Sequence, residues 1–203
     1  MELTLYTATM SRGFMVEWLL EELQVPYTRK VVDLFSGYTR SEEYQRIHPL
    51  GAVPALVVDG TPMIESLAIM LFLADAFPES QLSPMVSEPH RNSYLQWMVY
   101  CTATIEPKLG PPFVRALSLP LSERKETATA TEIEAFHRTL EPLHEAMRGP
   151  CVLSTGFSAV DVVLSAELYW ADQVGMVSGH GTARAYLEKM VNRPAFQRCQ
   201  ARA

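Results

Sequence analysis

Gly51-Ala52-Val53-Pro54-Ala55-Leu56-Val57-Val58-Asp59-Gly60-Thr61-Pro62-Met63-Ile64-Glu65-Ser66 is the stretch that decides the fold. A Val/Leu-rich run meets Asp59-Gly60, a pair suited to a turn with positive φ, and a second short apolar run follows, so the reading is strand, tight turn, strand. A helix begins at once. Ile69, Phe72, Leu73 and Ala76 fall at i, i+3, i+4 and i+7, and Pro78 stops the pattern where a backbone N–H would be needed. Val53-Pro54 sets a proline at the first residue of a strand, where an X-Pro bond is free to be cis and to leave the preceding amide and carbonyl facing outward. That makes a docking edge for a peptide. Glu65-Ser66 stands where strand becomes helix, so the unpaired amides of the first turn, with the Ser66 hydroxyl, suit a carboxylate.

Upstream, Leu3, Leu5 and Tyr6 mark a first strand and Thr7 to Gly13 a polar turn. Val16, Leu19, Leu20 and Leu23 then give one apolar stripe, with Glu17, Glu21 and Gln24 expected on the opposite face. Pro26 ends that helix, Thr28 to Asp33 reads as a second strand, and Ser41 to His48 as a short helix closed by Pro49. The order is βαβαββα, with helices required over the faces of a partly parallel sheet. Pro62 marks the last strand as an edge.

Downstream, residues 78–88 are rich in Pro, Ser and Glu and read as a linker. The expected domains are therefore 1–77, α/β, and 89–203, all helical. Tyr94, Trp97, Met98 and Cys101 share one face; Ile133, Phe136, Leu140, Leu143 and Met147 share another along one long helix, with Pro111-Pro112 interrupting between the two. Ser158-x-x-Asp161 has the form of a capping box, Phe157 and Val162 are placed as a hydrophobic staple, and Ala159, Val162, Val163 and Ala166 form the buried stripe.

The net charge of −6 and the absence of any Lys/Arg run of five or more argue against nucleic acid as the main partner. No stretch is apolar for long enough to span a bilayer, and the N-terminus goes straight into strand-like alternation, so no secretory signal is expected. Cys101, Cys151 and Cys199 are an odd count without metal spacing, which fits reduced thiols in a cytoplasm and no bound metal. No cysteine precedes Cys101, so the turn before the first helix, Thr9-Met10-Ser11-Arg12, lacks the thiol that disulfide exchange needs.

Val53-Pro54 and Glu65-Ser66, spaced across a hairpin, resemble the glutathione-binding half of the soluble glutathione transferases; the βαβαββα order, the Met-Ser-Arg-Gly turn of bacterial-type members and the Ser158/Asp161 motif extend the resemblance over nearly the whole chain. It implies a thioredoxin-like domain followed by an all-helical one, glutathione as co-substrate and a homodimer. In that family Val-Pro is cis and pairs with the cysteinyl backbone of glutathione, while the Glu/Gln-Ser pair holds its γ-glutamyl end. The implied activity is attack by the glutathione thiolate on a small hydrophobic electrophile. The rivals are glutathione-dependent peroxide reduction, dehalogenation or isomerisation, and a catalytically silent protein-interaction module on the same fold.

The family's first turn supplies a hydroxyl or thiol that hydrogen-bonds the glutathione sulfur. A free thiol titrates near roughly 8.5, and each unit of depression is worth about 1.4 kcal/mol of thiolate stabilisation. Ser11, at the start of the first helix, is the first candidate for that donor, set against a purely capping role. Tyr6 is the rival and Thr9 the third, the latter standing where many members have proline. Arg12 is a candidate for a thiolate or carboxylate contact. Ala52 departs from the Lys or Gln that many members carry there, and His48 from their Asn; for His48 the expected role is a turn residue. Tyr100, Thr104 and Phe113 are implied at the electrophile site.

Overall fold

A computed structural model describes residues 1–202; Ala203, the last residue of the expected helical domain, lies outside them. Two compact units divide the chain, Met1–Ser83 together with the segment from Pro194 on, and Pro84–Arg193. The first unit has β1 (Leu3–Thr7), α1 (Gly13–Leu23), β2 (Thr28–Val31), α2 (Glu42–Gln45), β3 (Ala55–Val58), β4 (Thr61–Ile64) and α3 (Ser66–Ala76). Its four strands lie in the order β2-β1-β3-β4, β1 parallel to β2 and the other pairs antiparallel.

Local chemistry accounts for these elements. Asp59 (φ 47°) and Gly60 (φ 82°) are both left-handed, the geometry of a two-residue hairpin turn matched to strand twist. Pro62 sits in the edge strand, opposite Val57. In α3 the buried stripe is Ile69, Met70, Leu73 and Ala74, so the helix is turned from the expected stripe and Phe72 and Ala76 are half-buried.

Glu17 corrects the expected polar face of α1. It is 2% exposed, because α1 is covered on a further side by a last helix, α10 (Pro194–Gln200). Phe196 of α10 packs edge-on against Trp18 at 4.9 Å and Phe14 at 5.5 Å. The buried Glu17 carboxylate is compensated by Arg29 at 2.9 Å and Arg202 at 3.4 Å. Arg198 and Arg202 pair with Glu21, whose carboxyl burial raises but these guanidiniums and the Tyr27 hydroxyl bring down to about 2. The final helix thus belongs to the α/β unit rather than to the helical one.

The second unit comprises α4 (Arg91–Tyr100), α5 (Glu106–Leu117), α6 (Ala130–Leu140), α7 (His144–Arg148), α8 (Ala159–Gln173) and α9 (Gly181–Val191). Pro111 and Pro112 do not interrupt it; both lie inside α5, which follows a π-helical turn at Cys101–Ile105. The carbonyls they leave without a helical donor belong to Pro107 and Lys108, both exposed, and Gly110 has no Cβ to meet the Pro111 ring. The expected long second helix is two: Pro142 lies in a 3₁₀ turn, Glu141–Leu143, between α6 and α7. Phe136, Leu140, Leu143 and Met147 are buried across that break.

The central helix α8 starts as its sequence predicts. Asp161 Oδ2 accepts from the Ser158 amide at 2.8 Å and hydroxyl at 3.1 Å, and Oδ1 accepts from the Val152 amide at 2.7 Å and from the Tyr186 hydroxyl. Every residue from Ala159 to Leu168 is buried.

Candidate functional site

Strand register gathers the residues of interest at one end of the sheet. Tyr6 of β1 lies opposite Ala55 of β3, and Ala55 opposite Ile64 of β4. The turn after β1, the Val53-Pro54 pair before β3 and the Glu65-Ser66 pair after β4 therefore leave the sheet at the same end, where α1 and α3 both begin.

The Val53-Pro54 bond is cis. Pro54 is buried, and Val53 is half-buried against the cluster of Tyr6, Val32, Tyr44 and Ala55, with Val53 outside the ladder that begins at Ala55. Glu65 is exposed at the N-cap of α3 with φ 71° and ψ 108°, a conformation uncommon for a residue with a side chain. No side chain caps α3, and Ser66 is its first residue. The amides of that first turn carry positive partial charge and have no side-chain acceptor among the described residues, an arrangement suited to an anion.

At the α1 start, Ser11 is half-buried and its hydroxyl is already engaged. It donates to the Ala8 carbonyl at 2.7 Å and accepts from the amides of Ala8 at 3.3 Å and Gly13 at 3.2 Å. A Cβ on Gly13 would meet Thr7 Oγ1 at 2.0 Å, so glycine is what lets the helix start this close to β1. Thr9 is exposed beside Met10, which has φ 56°. Arg12 is exposed at the N-cap position.

Tyr6 lies elsewhere. It is 7% exposed, packs edge-on against Tyr44 at 5.8 Å, and its hydroxyl accepts from Lys30 Nζ at 3.1 Å. Lys30 is on β2, so the Tyr6 hydroxyl points to the side of β1 opposite β3 and β4.

Within the helical unit Tyr100, Thr104 and Phe113 are each half-buried. Tyr100 donates its hydroxyl to the Thr139 carbonyl at 3.0 Å and meets Trp97 edge-on at 5.4 Å. His48 is a turn residue, its Nδ1 accepting from the Leu50 amide at 3.3 Å. Tyr44 was not legible as part of the site: its hydroxyl donates to the Ala52 carbonyl at 2.8 Å, a contact that no local spacing announces.

The three cysteines are free thiols. Among the described residues no group of three or more His, Cys, Asp or Glu side chains is arranged to hold a metal ion. No helix among them is long and apolar enough to cross a membrane.

Residues 10–76 match the model of the glutathione S-transferase N-terminal domain family. The chain is similar to glutathione S-transferase GstA of Escherichia coli O157:H7, 28% identical over 182 residues, which cover 88% of this chain and 87% of that one. It is similar as well to a maleylacetoacetate isomerase of Dictyostelium discoideum, 29% identical over 157 residues covering 74% and 70% of the two chains. In three dimensions it resembles the crystal structure of a glutathione transferase from Methylococcus capsulatus, with a TM-score of 0.83, 25% identity and 98% of each chain covered.

Proposed function

Since the chain belongs to the soluble glutathione S-transferase family, we propose that it binds glutathione at the sheet end where β1, β3 and β4 converge with α1 and α3, and activates its thiol for attack on a small, partly apolar electrophile. The observation that carries this reading is the pairing of the Val53 main chain, outside the ladder, with the uncapped start of α3 at Ser66. The first suits the cysteinyl backbone of the tripeptide. The second suits the carboxylate of its γ-glutamyl unit, held by outward amides, the Ser66 hydroxyl and the Glu65 main chain.

Chemistry then falls to the glutathione sulfur. Ser11 is the preferred thiolate donor: its hydroxyl sits at the α1 start, and donating to the sulfur means exchanging its present bond to the Ala8 carbonyl for one to the ligand. Tyr6 is disfavoured because its hydroxyl is turned toward Lys30, and Thr9 because its side chain is exposed on the outer part of the turn. Arg12 lends positive charge near the sulfur or a carboxylate. Tyr100, Thr104 and Phe113 are proposed to contact the electrophile. A detoxifying role in a cytoplasm, with the thiols reduced, completes the reading. So does a homodimer; Leu95 and Val99, exposed at i and i+4 on α4, supply an apolar face of the kind a second copy covers.

Calorimetric titration tests the site. Glutathione is expected to bind at least about a hundredfold more tightly than cysteinylglycine, which lacks the γ-glutamyl carboxylate that α3 would hold. Equal affinities would sink the assignment. Two relatives are named as isomerases, which favours isomerisation as the second reading. Thiol consumption separates the two, since conjugation uses one glutathione per turnover and isomerisation returns it.

A further inference from the structure

Tyr44 has no exposed surface, and its ring is wedged between Tyr6, centroids 5.8 Å apart, and Tyr38, 5.4 Å apart. Its hydroxyl therefore starts from a fixed point. From there it donates to the Ala52 carbonyl at 2.8 Å. Burial pushes this hydroxyl up to about 12, so it keeps its proton, and stays a donor, throughout the neutral range.

The loop between α2 and β3 is tied elsewhere by its own main chain. The Tyr44 carbonyl accepts from the Ile47 and His48 amides, and the His48 carbonyl from the Gly51 amide, each at 2.8 Å. Gly51 has φ +64°, and a Cβ there would come within 2.6 Å of the Thr39 carbonyl. These ties stop at Gly51. The exposed Ala52, whose methyl group cannot itself reach a ligand, is then held by the Tyr44 hydroxyl.

The Ala52 carbonyl and the Val53 amide belong to one planar peptide unit and, across a trans bond, point in opposite directions. Fixing the carbonyl from the core side therefore aims the Val53 N–H away from the core. We propose that Tyr44 is a positioning residue for glutathione: its hydroxyl, by holding the Ala52 carbonyl, sets the Val53 N–H in register with the peptide backbone of the bound tripeptide. This rests on the reading of the site as a glutathione site. Tyr44 does not touch the ligand; it acts through the Ala52–Val53 peptide.

The test is Tyr44→Phe in the full chain, which keeps the ring contacts and removes one hydroxyl. Glutathione should bind about five- to tenfold more weakly, the KM for glutathione rising in step, as one net hydrogen bond's ordering effect is lost. The turnover number at saturating glutathione and the KM for the electrophile should hold within twofold, because the sulfur and its donor are untouched. Ser41→Ala is the control. It removes the side chain that accepts the Tyr44 amide at 3.2 Å, loosening the same helix without touching Ala52. It should lower the melting temperature yet leave glutathione affinity within twofold. Amide exchange at Val53 in the ligand-free protein should quicken in Tyr44→Phe and not in Ser41→Ala. Affinity unchanged in Tyr44→Phe, or lowered equally in both variants, overturns the proposal. If the unsubstituted protein itself fails to bind glutathione, the reading of the site fails and this proposal with it.

Discussion

At the start of α8, Asp161 accepts from two amides and two hydroxyls, with Asp161 at 0% and Ser158 at 2% exposure; at the start of α3, Glu65 lies exposed at φ 71° and no side chain caps the helix. Both ends present the same orphan amides and the same positive end of a helix dipole. In the helical unit a buried capping box between Ser158 and Asp161 closes the helix start from within. In the α/β unit no side chain among the described residues caps those amides. A closed helix start is thus a stability device, and the open one beside Val53 is what the proposed glutathione site uses.

The contrast breaks most visibly at Asp161. Asp161→Ala should cost about 3–5 kcal/mol of stability, measured by denaturant unfolding, since it strands the buried amides of Val152 and Ser158 and the Tyr186 hydroxyl. A loss below about 1 kcal/mol would mean that this cap is not what fixes α8. At the open end the effects should fall on function instead. Ser11→Ala should lower turnover about 10- to 100-fold with glutathione affinity nearly unchanged, because a hydrogen bond to sulfur matters most where the thiolate must be formed. Unchanged turnover would pass the role to Thr9 or Tyr6. Ser66→Ala should weaken glutathione about tenfold in a calorimetric titration, with the melting temperature unmoved, the reverse of the pattern at Asp161.

A third helix start sharpens the comparison by making the cap titratable. His180 caps α9 by accepting from the Ala183 amide at Nδ1, 3.2 Å away, with His137 4.9 Å and His144 6.1 Å off. Burial first, then the His137 and His144 imidazoles, hold its pKa below the ordinary value, against a smaller pull upward from Glu141. A depressed folded-state pKa means the stability is present above the unfolded value, about 6.5, and is lost as pH falls through the folded value. The loss should be small, about 0.5–1 kcal/mol, the size of a helix cap. It should be visible as a drop in unfolding free energy between neutral and mildly acid pH that His180→Asn, whose cap does not titrate, makes shallower.

Local chemistry explains what was legible in the sequence. Asp59-Gly60 announces its hairpin, Ser158 and Asp161 their capping box, and Val53-Pro54 with Glu65-Ser66 the two halves of the candidate site, because each depends on residues a few positions apart. What escaped depends on partners distant in the chain. Glu17 reads as solvated until α10, nearly the whole chain away, is seen to cover it. Pro111-Pro112 reads as a break, yet two lost donors are tolerated where the carbonyls they would have served belong to exposed residues. Tyr44 lies within the short helix read from Ser41 to His48, and no local spacing singles it out; its hydroxyl acquires meaning only when the following loop folds back over it.

The central claim is that this chain holds glutathione and favours its thiolate. It is tested most directly by titrating the ultraviolet thiolate absorbance of glutathione with pH in the presence of excess protein. The account predicts a midpoint at least about one unit below the roughly 8.5 of a free thiol, moving back toward it in Ser11→Ala. A midpoint that stays at the free value while glutathione is bound would contradict the activation, and no detectable binding would contradict the site itself.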